Sequence, residues 1–157
     1  MKKDLTFDNF EMNHTNKFAF HACKETIKNL GKLYNPLILY GSNTKDLKHL
    51  LNACYNYIIS DTDKKLLYVT GKELIDNLNN SKIDKYTNIN ILIIEDIQEL
   101  ENNSNAQKEF LHIFNNLYNE DKQIIMSSNK ELDELNIEER LKTRTKWGLT
   151  VKVFDEQ

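Results

Sequence analysis

Three uninterrupted apolar runs limit what this chain can fold into: LILY at Leu37–Tyr40, ILII at Ile91–Ile94 and QIIM at Gln123–Met126. A strand with one wet face alternates apolar and polar residues. A continuous run fits a strand covered on both sides, as in a parallel sheet sandwiched by helices. Two further β-like runs, Leu66–Thr70 and Leu149–Phe154, bring the expected strands to Leu37–Tyr40, Leu66–Thr70, Ile91–Glu95, Gln123–Ser127 and Leu149–Phe154. Helical spacing fills the gaps. His14–Leu30 places Phe18, Ala22, Cys23, Thr26, Ile27 and Leu30 on one stripe, with Gly31 where a C-terminal cap is expected. Ala106–Leu117 repeats the pattern through Phe110, Leu111, Phe114 and Leu117. The single proline, Pro36, immediately precedes the first strand. The order is α/β, with a five-stranded parallel sheet and helices on both faces.

The 157 residues suffice for one domain with a core, and residues 1–157 read as a single unit. A formal charge of −3 argues against nonspecific adhesion to nucleic acid. No apolar run approaches the roughly 20 residues needed to span a bilayer, and the polar start MKKDLTFDNF lacks the apolar core of a secretion signal. A cytoplasmic location is expected. Cys23 and Cys54 have no neighbours at metal-ligand spacing, so no metal site is expected; they read as reduced, half-buried thiols, with a disulfide between them as the alternative.

LYGSNTKDLKHLL, Leu39–Leu51, opens as a phosphate-binding loop does: a strand, then Gly41, then an amphipathic helix. The pattern G-x-x-x-x-G-K-[ST] would put glycine, lysine and a hydroxyl at positions that hold Asp46, Leu47 and Lys48. Asp46 is expected to repel phosphates, and neither Lys45 nor Lys48 occupies the lysine position. ILIIEDIQEL ends a buried strand in two carboxylates, Glu95 and Asp96, which either serve as the acidic pair of a phosphate-loop enzyme or form a polar turn. Ser128 and Asn129, at the end of IIMSSN, would lie beside that pair. Asn129 either reaches a γ-phosphate or caps a turn. Arg144, in ERLKTRTKWGL, is either a surface charge that pairs with Glu138 or Glu139, or a group offered to a neighbouring molecule's nucleotide.

LTFDNFEMNHTNKFAFHA, YNPLILYG, LLYVT, ILIIEDIQEL, KEFLHIFNNLY, KQIIMSSN and ERLKTRTKWGL occur in an order and spacing that resemble the AAA+ core of the DnaA family, the bacterial replication initiators. The resemblance covers Leu5 to about Leu149 and implies the sheet order 5-1-4-3-2. It further implies that Phe7, Asn9 and Phe10 are remnants of the adenine side of a nucleotide pocket. By the same resemblance, Glu95 and Asp96 correspond to Walker B, Asn129 to sensor 1 and Arg144 to the finger inserted into the next subunit.

The departures from that family bear on function. The degenerate loop formed by Gly41, Asp46, Leu47 and Lys48 leads us to expect no retained cofactor, with ATP, ADP and magnesium bound weakly at most and no ATPase activity. Between Thr70 and Asn90 the family's longer insertion is cut to a helix and a turn whose mixed charges make DNA binding doubtful. After WGLTVKVFDEQ neither a lid nor a DNA-reading domain is expected. The expected role is a catalytically degenerate module that binds or regulates a full-length DnaA-type initiator or another replication AAA+ protein, with self-association as a further option. Its rivals are a weak ATPase using Glu95, a DNA-binding module, and a folded remnant without a partner.

Overall fold

The alternation of side chains along each strand explains why the apolar runs are continuous. In the computed structural model, which describes residues 2–155, strands β1 (Leu37–Tyr40), β2 (Leu66–Thr70), β3 (Ile91–Glu95), β4 (Gln123–Ser128) and β5 (Leu149–Lys152) form one sheet. All pairings are parallel and the order is β2-β3-β4-β1-β5, the expected order read from the other edge.

Leu37, Leu39, Ile91, Ile93 and Ile125 face one layer, where they pack with α1 (Lys17–Lys28) and α2 (Thr44–Asp61). Ile38, Leu92, Ile94, Ile124 and Met126 face the other, packing with α3 (Gly71–Asn79), α4 (Ser104–Asn119) and α5 (Glu139–Thr145). Each central strand is therefore buried on both faces. The edge strand β5 alternates half-buried and exposed residues, because only the α1 side covers it.

The element boundaries refine the sequence reading. Helix α1 is shorter than His14–Leu30 and ends on Asn29 as its cap, so Gly31 lies in the turn beyond and not at the cap. Strand β4 extends to Ser128, and β5 stops at Lys152, short of Phe154, where Val153 N–H still bonds the Tyr40 carbonyl at 2.8 Å. Between Thr70 and Asn90 lie one helix and a 3-10 turn, Ile83–Tyr86. Thr70 and Glu73 form a reciprocal capping box at the start of α3.

Cys23 and Cys54 are both free and both fully buried, not half-buried as expected. The Cys23 thiol contacts Cys54, and that hydrogen bond together with burial pushes its pKa well above the ordinary range. Among the described residues, no helix is long and apolar enough to cross a membrane.

Candidate functional site

In a doubly covered parallel sheet the loops at the carboxyl ends of the strands meet in one crevice, the usual place for a ligand. Here that crevice gathers Gly41 after β1, Glu95 and Asp96 at the end of β3, and Ser127 near the end of β4. Gly41 has φ +152°, donates its N–H to the Ser128 carbonyl at 3.1 Å, and runs so close to the next strand that a Cβ would sit 2.4 Å from the Val153 carbonyl oxygen. Glycine is required there whatever the loop binds.

Beyond Gly41 the chain enters helix at once. Asn43 caps α2, which starts at Thr44, so Thr44, Lys45 and Asp46 are already helical. Three amides at the start of the helix have partners within the chain. Thr44 N–H bonds the Ser42 carbonyl at 2.9 Å, Asp46 N–H the Asn43 Oδ1 at 3.1 Å, and Leu47 N–H the Asn43 carbonyl at 3.2 Å. A phosphate-binding loop works by aiming such amides at the ligand. In this chain those of Thr44, Asp46 and Leu47 are used internally.

The Asp46 carboxylate is oriented differently from expectation. Its Oδ2 accepts from Asn16 Nδ2 at 2.9 Å and Asn43 Nδ2 at 3.0 Å, which ties α1 to the start of α2. Asp46 is absent from the cavity lining, so its effect is to occupy the helix N-terminus more than to repel a ligand inside the cavity. Leu47 is 3% exposed, packing into the core under α2.

The cavity at the loop measures about 190 Å³ and is lined by Thr44, Lys45, Leu47, Lys48, Glu95, Asp96 and Ser127. Small-molecule pockets usually span roughly 300–1,000 Å³. Two lysines face two carboxylates, so the lining carries no net positive charge for a polyphosphate.

Glu95 is held by Tyr68, whose hydroxyl donates to Glu95 Oε1 at 3.2 Å while accepting from Asn52 Nδ2 at 3.2 Å. Burial, with the Glu95 carboxylate second, pushes the Tyr68 phenol far above its ordinary pKa, so it remains a donor. Asp96 adopts left-handed backbone, φ +66°, and its N–H bonds Ser127 Oγ at 3.0 Å.

The other residues singled out in the sequence take the following positions. Ser127, not Ser128, meets the carboxylate turn; Ser128 is buried and bonds the Lys130 carbonyl at 2.5 Å. Asn129 is exposed, with its N–H on Gln98 Oε1 at 3.1 Å. Phe10 is 8% exposed, stacked on Phe20 at 5.6 Å with the His49 ring edge at 5.0 Å. Phe7 stands edge-on to the same Phe20. The Asn9 carboxamide binds the Thr6 N–H at 2.9 Å and the Asp4 carbonyl at 2.5 Å, pinning its own turn. Phe7, Asn9 and Phe10 thus line no part of the loop cavity.

Arg144 does not pair with Glu138 or Glu139. Arg140 takes Glu138 and Lys142 lies 3.7 Å from Glu139. Arg144 instead donates its Nε–H to Asn115 Oδ1 at 2.8 Å and lies over the Trp147 ring, 4.9 Å from its centroid. Sequence reasoning passed over Tyr68, Ser127 and Asn115. Strand parity would have found the first two, since Tyr68, Glu95 and Ser127 share the α2 face with Ile93 and Ile125.

A family model described as the bacterial DnaA ATPase domain matches residues 1–152. The chain is 37% identical over 158 residues to the chromosomal replication initiator protein DnaA of Caldanaerobacter subterraneus subsp. tengcongensis, covering 94% of this chain and 36% of that protein. It superposes on domain III of the Thermotoga maritima replication initiation protein DnaA with a TM-score of 0.94 at 32% identity, covering all of this chain and 70% of that one. AMPPCP-bound DnaA from Aquifex aeolicus gives a TM-score of 0.91 at 30% identity, over 97% of this chain and 50% of that one. The chain thus spans little more than a third of the length of the curated relatives it matches.

Proposed function

Because the chain belongs to the bacterial DnaA ATPase-domain family, we propose that it is a nucleotide-independent member of that family which acts by subunit-type contact on a nucleotide-bound partner. The partner class is a full-length DnaA-type initiator or a related replication ATPase. One observation supports this reading: α2 begins at Thr44, Asn43 caps it and holds the Asp46 carboxylate, and the amides of Thr44, Asp46 and Leu47 have partners within the chain. A subunit with one working face ends a head-to-tail assembly, and capping or regulation follows from that geometry. Arg144 is the group we assign to the partner's nucleotide, where an arginine can stabilise charge during phosphoryl transfer. A second copy of the chain is the other partner this geometry admits.

The test is sedimentation of the chain with the full-length initiator of its own cell in the presence of ATP, together with the initiator's ATP turnover. A complex, with turnover or assembly length altered, is expected. No complex and no change in either quantity would defeat the proposal.

A second reading has one specific observation in its favour. Lys45 and Lys48 both line the cavity that holds Glu95 and Asp96, which supports residual Mg-ATP binding and slow hydrolysis with Glu95 orienting water. Micromolar ATP affinity in calorimetry would select it over the first.

A further inference from the structure

We infer that Asn115 is a positioning residue for Arg144, and that α4 forms with it a seat presenting the end-on face of the guanidinium to an oxyanion of a partner. This rests on the protein-contact reading above for its biological use, but the seat itself is a property of the free chain.

Arg144 lies near the end of α5, a helix of only seven residues, which by itself holds a long side chain loosely. The contacts that fix it come from another element. Asn115, on α4, accepts the Nε–H at 2.8 Å. Since Nε–H can only donate, the carboxamide must turn its oxygen to the arginine. Trp147 covers the guanidinium, 4.9 Å from the ring centroid. Its own ring rests on α4 as well, 4.8 Å from Tyr118 and 6.4 Å from the fully buried Phe114. Phe114, Asn115 and Tyr118 lie within one turn of that helix, so a single rigid element sets both the Nε–H direction and the plane of the group.

A guanidinium offers its donors in a fixed fork, along the Nε side or along the two Nη groups. Asn115 occupies Nε. Among the described residues Arg144 makes no ion pair, which leaves the Nη pair as the donors for a bidentate oxyanion. A lysine at this place could not reproduce that arrangement.

The chain has a single tryptophan, so its fluorescence reports on this seat directly. In the free protein, Asn115→Ala is expected to speed exchange of the Arg144 Nε–H, followed by nitrogen-edited NMR, by about tenfold, the loss that one charge-assisted hydrogen bond supports. It is also expected to raise acrylamide quenching of Trp147 toward that of Arg144→Ala. Asn115→Asp keeps an acceptor and should restore both readouts. In the presence of the ATP-bound initiator of the same cell, Asn115→Ala should cut the wild-type effect on turnover on the order of 10- to 100-fold, and weaken the complex by no more than Arg144→Ala does, as for a misplaced group.

Unchanged exchange and quenching in Asn115→Ala would overturn the inference in the free chain. A turnover effect abolished by Arg144→Ala but intact in Asn115→Ala would overturn it in the complex. A wild-type chain without effect on turnover counts against the protein-contact reading, and the free-chain measurements then judge the seat alone.

Discussion

Asp46 stands at the third position of α2, where its carboxylate places a negative charge at the helix N-terminus. Helix N-termini favour negative charge, and Asn43 and Asn16 hold this one in place through their carboxamides. The motif's lysine position has gone apolar, and Leu47 is buried under the helix. We therefore expect ATP and ADP to bind at roughly millimolar affinity or weaker, as titration calorimetry would measure. The combined change Asp46→Gly, Leu47→Lys and Lys48→Thr is expected to strengthen binding; no gain would show that the defect extends beyond these three residues. Asn43→Ala removes both the cap and an Asp46 partner, and should lower stability by about 1–2 kcal/mol in chemical denaturation. The cap was legible in the sequence: Asn43 followed three residues later by Asp46 is an N-terminal signature. It was masked because the Gly41 frame points to a loop at the same residues. The direction of the Asp46 side chain was not legible, since it depends on Asn16, 30 positions away.

At the scale of elements, the sheet could be read because its central strands bury both faces, and that demand writes itself into sequence as LILY, ILII and QIIM. Ends were harder. The carboxyl ends of β4 and β5 are set by hydrogen bonds to β1 and its neighbours, which leave no local pattern. The polar layer beneath the crevice shows the same dependence on long-range partners: Asn52 on α2, Tyr68 on β2 and Glu95 on β3 form one chain of hydrogen bonds. It also predicts a pH response. The Tyr68 phenol is raised above its unfolded value of 10.0, so folding holds its proton more tightly than the open chain does. The resulting stability is fully present below pH 10 and falls as pH rises beyond it, once the unfolded chain ionises and the folded one does not. Denaturation midpoints between pH 8 and 11, values chosen to bracket roughly the tyrosine range, should show that decline. Tyr68→Phe should reduce its slope and, through the lost hydrogen bonds, cost about 1 kcal/mol at neutral pH. An unchanged slope would assign the alkaline loss to other groups.

For the whole molecule, the two ends of the proposed function have separated. Asn43 and Asp46 bond to one another at the start of α2, whereas Arg144 is seated on α4 by Asn115 and Trp147. A module built this way should respond to the partner's nucleotide and be indifferent to its own crevice. We expect the complex with a full-length initiator to form more tightly when the initiator holds ATP than when it holds ADP, since the end-on guanidinium has a γ-phosphate to meet only in the first case. Loss of one bidentate charge-assisted contact corresponds to about 1.5–3 kcal/mol, or roughly 10- to 100-fold in affinity. Sedimentation or calorimetry with each nucleotide state measures it. Adding ATP to the chain before mixing should change nothing, and Arg144→Ala should remove the preference while leaving the weaker, nucleotide-blind part of the contact. Equal affinity for the two states would mean that Arg144 does not reach the partner's phosphates. A preference that survives Arg144→Ala would place the discriminating contact on another residue of the same face.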